Sequence, residues 1–174
     1  MVIWFTGISG CGKSTLGKYF LKKFKKKNKK TVFIDGDQFR RLFLNDVKYS
    51  LRDRDRNAAR LTSLVKYLSD QEINVIVAAN LTSQRFRNWN KKNIKNYFEI
   101  FIDVPMKILF QRDTKNLYKK AIKKKIKNVV GVDIKFRKPI NPDLLIKNHG
   151  SKKHLYESYT EIINKIRKKN IKFY

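Results

Sequence analysis

Gly7-Ile8-Ser9-Gly10-Cys11-Gly12-Lys13-Ser14 spaces its glycines, lysine and hydroxyl as G-x-x-x-x-G-K-[ST], the pattern of a phosphate-binding loop. The chemistry follows from the residue types. Glycines let backbone N–H groups turn inward around phosphate oxygens, and a helix starting at the loop adds the positive end of its dipole. Lys13 has the reach for β- and γ-phosphates, and the Ser14 hydroxyl is a hard oxygen ligand for Mg²⁺. Gly7, Ser9, Gly10, Cys11, Gly12, Lys13, Ser14 and Thr15 are therefore the expected nucleotide-phosphate residues, with Ser14 on the metal. Cys11 fills a free position of the pattern, where a small residue suffices; a redox switch is the alternative reading.

Asp35-Gly36-Asp37-Gln38-Phe39-Arg40 offers a second constellation. One carboxylate can help hold Mg²⁺ and one can take a proton from an attacking hydroxyl. The plainer alternative is a turn and helix cap; opposite a phosphate loop, the chemical reading is preferred. Arg40 can grip a substrate phosphate bidentately. Arg52-Asp53-Arg54-Asp55-Arg56-Asn57 is either a surface ion-pair cluster or a source of phosphate or ribose ligands. Arg112 can stack on a base or complement a helix C-terminus. His149 and His154 lack metal-ligand spacing and read as ordinary polar residues.

These groups need a scaffold that brings them together, and the hydrophobic pattern supplies one. Val2-Ile3-Trp4-Phe5-Thr6 reads as a buried strand before the loop, and the apolar spacing of Leu16 to Phe24 reads as a helix after it. Strands are expected at Thr31–Ile34, Ile73–Ala79, Tyr97–Ile102 and Leu144–Ile146. Helices are expected at Arg54–Leu68, from Pro105 to Arg112, and at Tyr156–Ile166. Alternating strands and helices predict a three-layer α/β/α domain with a central parallel sheet of about five strands. The phosphate loop, Asp35–Asp37 and Ala78–Thr82 all follow strands, so they should share one crevice at the C-terminal ends of the sheet. The stretch 113–142 is long, basic and poorly periodic, which suits a lid.

The 174 residues suit one domain, 1–174, with 41% hydrophobic and 13% aromatic residues. No apolar run approaches the roughly 20 residues of a membrane span. The opening residues form a core strand, not the leader of a signal peptide. With one cysteine and no internal disulfide, a cytoplasmic location is expected. The formal net charge is +28, but the lysines recur along the whole chain, with no nucleic-acid motif beside them. They are read as solvated helix faces that attract anionic metabolites, and nucleic acid is not the expected partner.

Together the motifs resemble the adenylyl-sulfate kinase family over about Val2 to Lys147. The resemblance is carried by Trp4-Phe5-Thr6-Gly7 leading into the loop, Asp35-Gly36-Asp37 with Arg40, and Tyr49-Ser50 with Asp53, Arg54 and Asn57. It continues in Gln111-Arg112-Asp113, Leu117-Tyr118-Lys119-Lys120-Ala121, Ile126-Lys127-Asn128, Gly131-Val132-Asp133 and Asn141-Pro142. It implies a P-loop kinase fold, Mg²⁺ and ATP as phosphoryl donor, small-molecule nucleotide substrates and a homodimer. It implies that Asp37 is the base, that Lys13 is catalytic, and that Arg112 lies by the ATP adenine. The acceptor side would comprise Asp35, Arg40, Tyr49, Arg54, Asn57, Asn80, Leu81 and Val129, with Lys119 and Lys127 on a mobile lid.

Two departures bear on the acceptor. The family brackets the acceptor adenine with two aromatic rings; Tyr49 can supply one, but Val129 stands where the second is expected. Asn80 places an amide where the family has an apolar residue, beside Leu81. Losing one stacking wall weakens purine binding by about 1–3 kcal/mol, and an amide can pair with a pyrimidine edge. These departures favour a cytidine 5′-diphosphate-like acceptor, and the resemblance to a capsule-pathway member of the family implies cytidine diphosphoramidate, phosphorylated at its 3′-hydroxyl. Adenylyl sulfate is the alternative, and a regulatory or nucleic-acid-binding P-loop protein is the alternative of another class.

Overall fold

The computed structural model describes residues 1–44, 46–113 and 115–173, so the expected lid is described apart from position 114. The chain runs β1 (Val2–Thr6), α1 (Lys13–Phe24), β2 (Thr31–Asp35), α2 (Gly36–Arg41), α3 (Leu51–Asp70), β3 (Asn74–Ala78), α4 (Gln84–Asn93) and β4 (Tyr97–Asp103). It closes with α5 (Met106–Arg112), α6 (Leu117–Ile122), β5 (Leu144–Lys147) and α7 (Lys152–Lys168). The five strands form one sheet in the order β2-β3-β1-β4-β5, with every pairing parallel. β1 lies in the middle, between β3 and β4, where the strand order reverses; a parallel sheet opens a ligand crevice at that point. No helix among the described residues is long and apolar enough to cross a membrane.

β1 is buried on both faces, as a central parallel strand must be. Its side chains alternate: Ile3 and Phe5 join one core, Val2 and Trp4 the other. The first core is closed by Leu16, Phe20 and Phe24 of α1 and Leu155, Ile162 and Ile166 of α7. The second is closed by Ala58, Leu61 and Val65 of α3. Each set steps by three, four or seven residues, the spacing that keeps one helix face on the sheet. Ser50, Ser83 and Ser151 cap α3, α4 and α7 through their side-chain oxygens.

Among the described residues, α4 and α6 have no counterpart in the sequence reading, and α2 appears there only as the cap alternative at Asp35. α2 and α6 span only six residues each, too short for a period to register. α4 was missed because its buried residues are Arg87 and Asn90, so its inner face carries no apolar stripe. Arg87 is 1% exposed and lies 3.1 Å from the fully buried Glu99 of β4. It also donates to the Thr6 hydroxyl and the Leu81 carbonyl, tying α4 to the ends of β1 and β3.

Arg87→Leu should cost about 3–5 kcal/mol, because it strands a buried carboxylate. Burial already holds the Glu99 carboxyl above its ordinary value, against the pull of Arg87 and Lys91. Without Arg87 it rises further, and the folded state then binds the proton more tightly than the unfolded chain. Stability is lost as pH rises through the folded pKa and is regained as pH falls through it. The deficit in urea midpoint should narrow as pH is lowered from neutrality toward the ordinary carboxylate range. A deficit constant across that window would assign the loss to packing alone.

Candidate active site

The loop between β1 and α1 turns the chain from the centre of the sheet into a helix N-terminus. Gly12 sits at φ 104 as the N-cap of α1. A Cβ there would come within 2.8 Å of Leu155 Cδ2 and 3.0 Å of Asn148 Nδ2, so only glycine fits. Lys13 folds over the loop, its Nζ donating to the Ile8 carbonyl at 2.9 Å. Ser9, Thr15 and Ser14 are half-buried on the same turn. Cys11 is fully buried, which removes the access a redox switch needs and leaves the reading of a small packing residue.

The Ser14 hydroxyl donates to Asp35 Oδ2 at 2.5 Å. The other Asp35 oxygen accepts the backbone N–H groups of Asp37 and Gln38 at 3.0 and 3.3 Å, capping α2. The cap and the chemical reading of Asp35 are thus both present: one oxygen holds the helix and the other meets the loop serine. A hydroxyl and a carboxylate oxygen in contact fit Mg²⁺, which takes one or two protein carboxylates and completes its shell with phosphate oxygens and water. Among the described residues, no group of three or more His, Cys, Asp or Glu could hold a metal by itself. Gly36 is what lets this turn reach the end of β3, since a Cβ would lie 2.8 Å from Ala79 Cβ. Asp37 points outward, its carboxylate 56% exposed and 3.3 Å from Lys115 Nζ of the lid segment.

The acceptor residues divide into two groups. Arg40, Tyr49, Arg54 and Asn57 come together. Arg40 is buried and donates to the carbonyls of Val47 and Lys48. The Arg40 and Arg54 guanidinium groups lie 4.7 and 5.6 Å from the Tyr49 ring centroid. Arg54 donates to the Tyr49 carbonyl at 2.9 Å and, across to the lid, to the Asn128 carbonyl at 2.8 Å. Burial, and after it the charge of Arg40, push the Arg54 pKa below its ordinary value, so an anion beside this pair would be favoured. The side-chain oxygens of Asn57, Asn80 and Thr82 are buried without hydrogen-bond partners among the described residues.

Leu81 and Val129 fall elsewhere. Leu81 is 1% exposed and packs in the second core with Phe39 and Ala79. Val129, expected as a reduced stacking wall, is 4% exposed and packs in the first core. The reason is local: Asp133 accepts the N–H groups of Asn128 and Val129 and folds 128–134 into a turn that points Val129 inward. Lys119 and Lys127 are exposed. Arg112 closes the last turn of α5, where its charge complements the helix C-terminus. It donates to the carbonyls of Asn148 and Gly150 at 3.2 and 2.7 Å, fastening the end of α5 to the turn before α7. The lid segment is fastened to the body by Lys138–Asp103 at 2.8 Å and by Phe136 against Phe101.

This geometry sets a glycine-rich loop at the end of β1, a carboxylate–hydroxyl pair beside it and an exposed carboxylate, paired with Lys115, at the end of β2. It surrounds the crevice with Lys13, Arg40, Arg54 and Lys115. Comparison with known proteins agrees. The family model for adenylylsulphate kinase matches residues 1–147. Cytidine diphosphoramidate kinase of Campylobacter jejuni is 41% identical over 165 residues, covering 95% of each chain. A probable adenylyl-sulfate kinase of Pseudomonas aeruginosa is 33% identical over 164 residues, 94% of this chain and 76% of the other. The solved APS kinase of Mycobacterium tuberculosis, in complex with AMPPNP and APS, superposes with a TM-score of 0.83 at 30% identity, covering 95% of this chain and 96% of that one. A phosphate-loop sequence after the central strand, a carboxylate turn after the edge strand β2 and a family match that takes in both make this chain a kinase of the adenylylsulphate kinase family.

Proposed function

We propose that this kinase transfers the γ-phosphoryl group of ATP to the ribose 3′-hydroxyl of a cytidine 5′-diphosphate-like acceptor, cytidine diphosphoramidate. The observation that carries the choice of base is the buried, unpartnered Asn80 amide oxygen at the end of β3. A buried acceptor without a donor costs about 1–3 kcal/mol; cytosine offers an amino donor for it and also a ring carbonyl for the Asn80 amide N–H, which adenine lacks. The 41% identity to an enzyme named for that substrate supports the same acceptor. Adenylyl sulfate is the second reading, supported by the likeness to the mycobacterial kinase in complex with APS.

In the mechanism, Lys13 leaves the Ile8 carbonyl to neutralise charge on the β- and γ-phosphates. Ser14 and Asp35 would hold Mg²⁺, which when bound supplies further neutralisation between those phosphates. Asp35 then belongs to the metal side, not the acceptor side. Asp37 accepts the 3′-hydroxyl proton as that oxygen attacks the γ-phosphorus, and ADP leaves with the electrons of the broken P–O bond. Arg40 and Arg54 hold the acceptor's 5′-phosphates, and Tyr49 stacks on its base with Asn57 alongside. Lys115 and the lid lysines Lys119 and Lys127 close over the charge. Arg112 shapes the adenine end of the donor site through the turn at Asn148.

The test is kcat/KM for both acceptors by coupled ADP release. The cytidine compound should lead by about tenfold or more, some 1.4 kcal/mol of transition-state discrimination. Asn80→Leu should erase that lead by removing the pairing edge. Adenylyl sulfate leading by the same margin would restore the second reading. Val129 is the wrong place to probe the pocket, because a phenylalanine there would overpack the core.

A further inference from the structure

Two carbonyls of the phosphate loop are gripped by side chains to which the mechanism gives no part. The Tyr118 hydroxyl, on α6, donates to the Ser9 carbonyl at 2.6 Å. The Asn148 side-chain amide, just past β5, donates to the Cys11 carbonyl at 2.9 Å. Tyr118 is 2% and Asn148 4% exposed, so water does not replace either bond without cost. Asn148 is itself fixed on two further sides: its N–H donates to the Asp103 carbonyl at 2.9 Å and its carbonyl accepts from Arg112 at 3.2 Å.

A trans peptide points its C=O and N–H in opposite directions. The Ser9 carbonyl shares a peptide plane with the Gly10 N–H, and the Cys11 carbonyl shares one with the Gly12 N–H. Holding each carbonyl toward the protein body aims the paired N–H away from it, into the loop's hollow. Among the described residues neither N–H donates to a protein acceptor. The φ values of 78 at Gly10 and 104 at Gly12 are the left-handed backbone that lets alternate N–H groups converge.

We propose that Tyr118 and Asn148 are positioning residues for the phosphoryl donor, each aiming one loop N–H at the nucleotide phosphates. The proposal rests on reading residues 7–14 as the donor cradle. It makes the lid segment, through Tyr118, and the adenine end, through Arg112 and Asn148, two independent supports of one loop.

The test uses the full chain labelled with nitrogen-15 and titrated with ADP. In the wild type, the Gly10 and Gly12 amide resonances should both move downfield on binding. Tyr118→Phe should reduce the ADP-induced shift of Gly10 and spare that of Gly12; Asn148→Ala should do the reverse. Each should raise the Kd for ADP about tenfold and leave the Kd for CDP, used as the acceptor-side probe, unchanged. If Asn148→Ala does not fold, Asn148→Asp removes the donor at constant size, and Tyr118→Phe removes only a hydroxyl. Variants that keep both shifts and full ADP affinity overturn the proposal. So do variants that lose both shifts together, since that is general loosening of the loop. Wild-type protein that binds ADP without moving either glycine overturns the cradle reading itself.

Discussion

Lys13→Ala should lower kcat/KM for phosphoryl transfer by about three powers of ten or more, roughly 4 kcal/mol, with the fold intact. The lysine is half-buried, belongs to neither core cluster, and makes its main contact with the Ile8 carbonyl of its own loop. Alanine is also a good first residue for α1. The circular dichroism spectrum and thermal midpoint should therefore stay close to wild type. What is lost is the loop's own cation, which can follow charge from the β,γ-bridge to the transferring group. A variant with near-wild-type ADP release would remove the loop from the catalytic account.

Asp37→Asn should lower kcat by about 10²–10⁴ with little change in the KM for ATP. The substitution keeps size and hydrogen bonding. It leaves the turn in place too, because the Asp37 backbone N–H is held by Asp35 at 3.0 Å and the side chain itself is not a cap. Only the capacity to accept a proton goes, along with the ion pair to Lys115. That pair is between exposed groups and contributes little to stability. Steady-state kinetics at saturating acceptor separate the possibilities. If ATP binding collapses while turnover at saturation survives, Asp37 is a metal or structural group, and the base must be sought elsewhere.

The fold was legible because its signals are periodic. β1 and β3 are short apolar runs, β4 is one interrupted by Glu99, and α1, α3 and α7 carry apolar stripes at helical spacing. α4 was not legible, since its inner face is a charge and an amide whose partner, Glu99, lies in another strand. Spacing alone cannot reveal a buried ion pair; only a charged residue inside an otherwise apolar strand hints at it. The placements of the candidate residues up to Asn57 were readable from type and order: Ser14 lies against Asp35, and Arg40 and Arg54 against Tyr49. Those in the lid were not, because their positions depend on turns: Asp133 folds Val129 into the core, and Asp113 caps α6 through the N–H groups of Leu117 and Lys119. Asn148 left no mark in sequence beyond being polar, and Tyr118 entered only as part of the Leu117–Ala121 motif, since their partners are distant backbone carbonyls.

The central place of β1 has a consequence for how the molecule assembles. Val2 pairs with Val75 on one side and Tyr97 on the other, so segments of about 70 and about 95 residues must close before this strand is flanked. α1 and β2 can associate earlier, but they cannot bury the strand that carries the phosphate loop. Non-local closure of this kind slows the search, and unpaired apolar strands are exposed while it lasts. Nucleotide binding should thus be among the last properties acquired on refolding from urea, appearing with the slowest phase and only after β4 has docked. A chain arrested on the ribosome before residue 103 would hold every residue of the phosphate loop and still lack the sheet that shapes it.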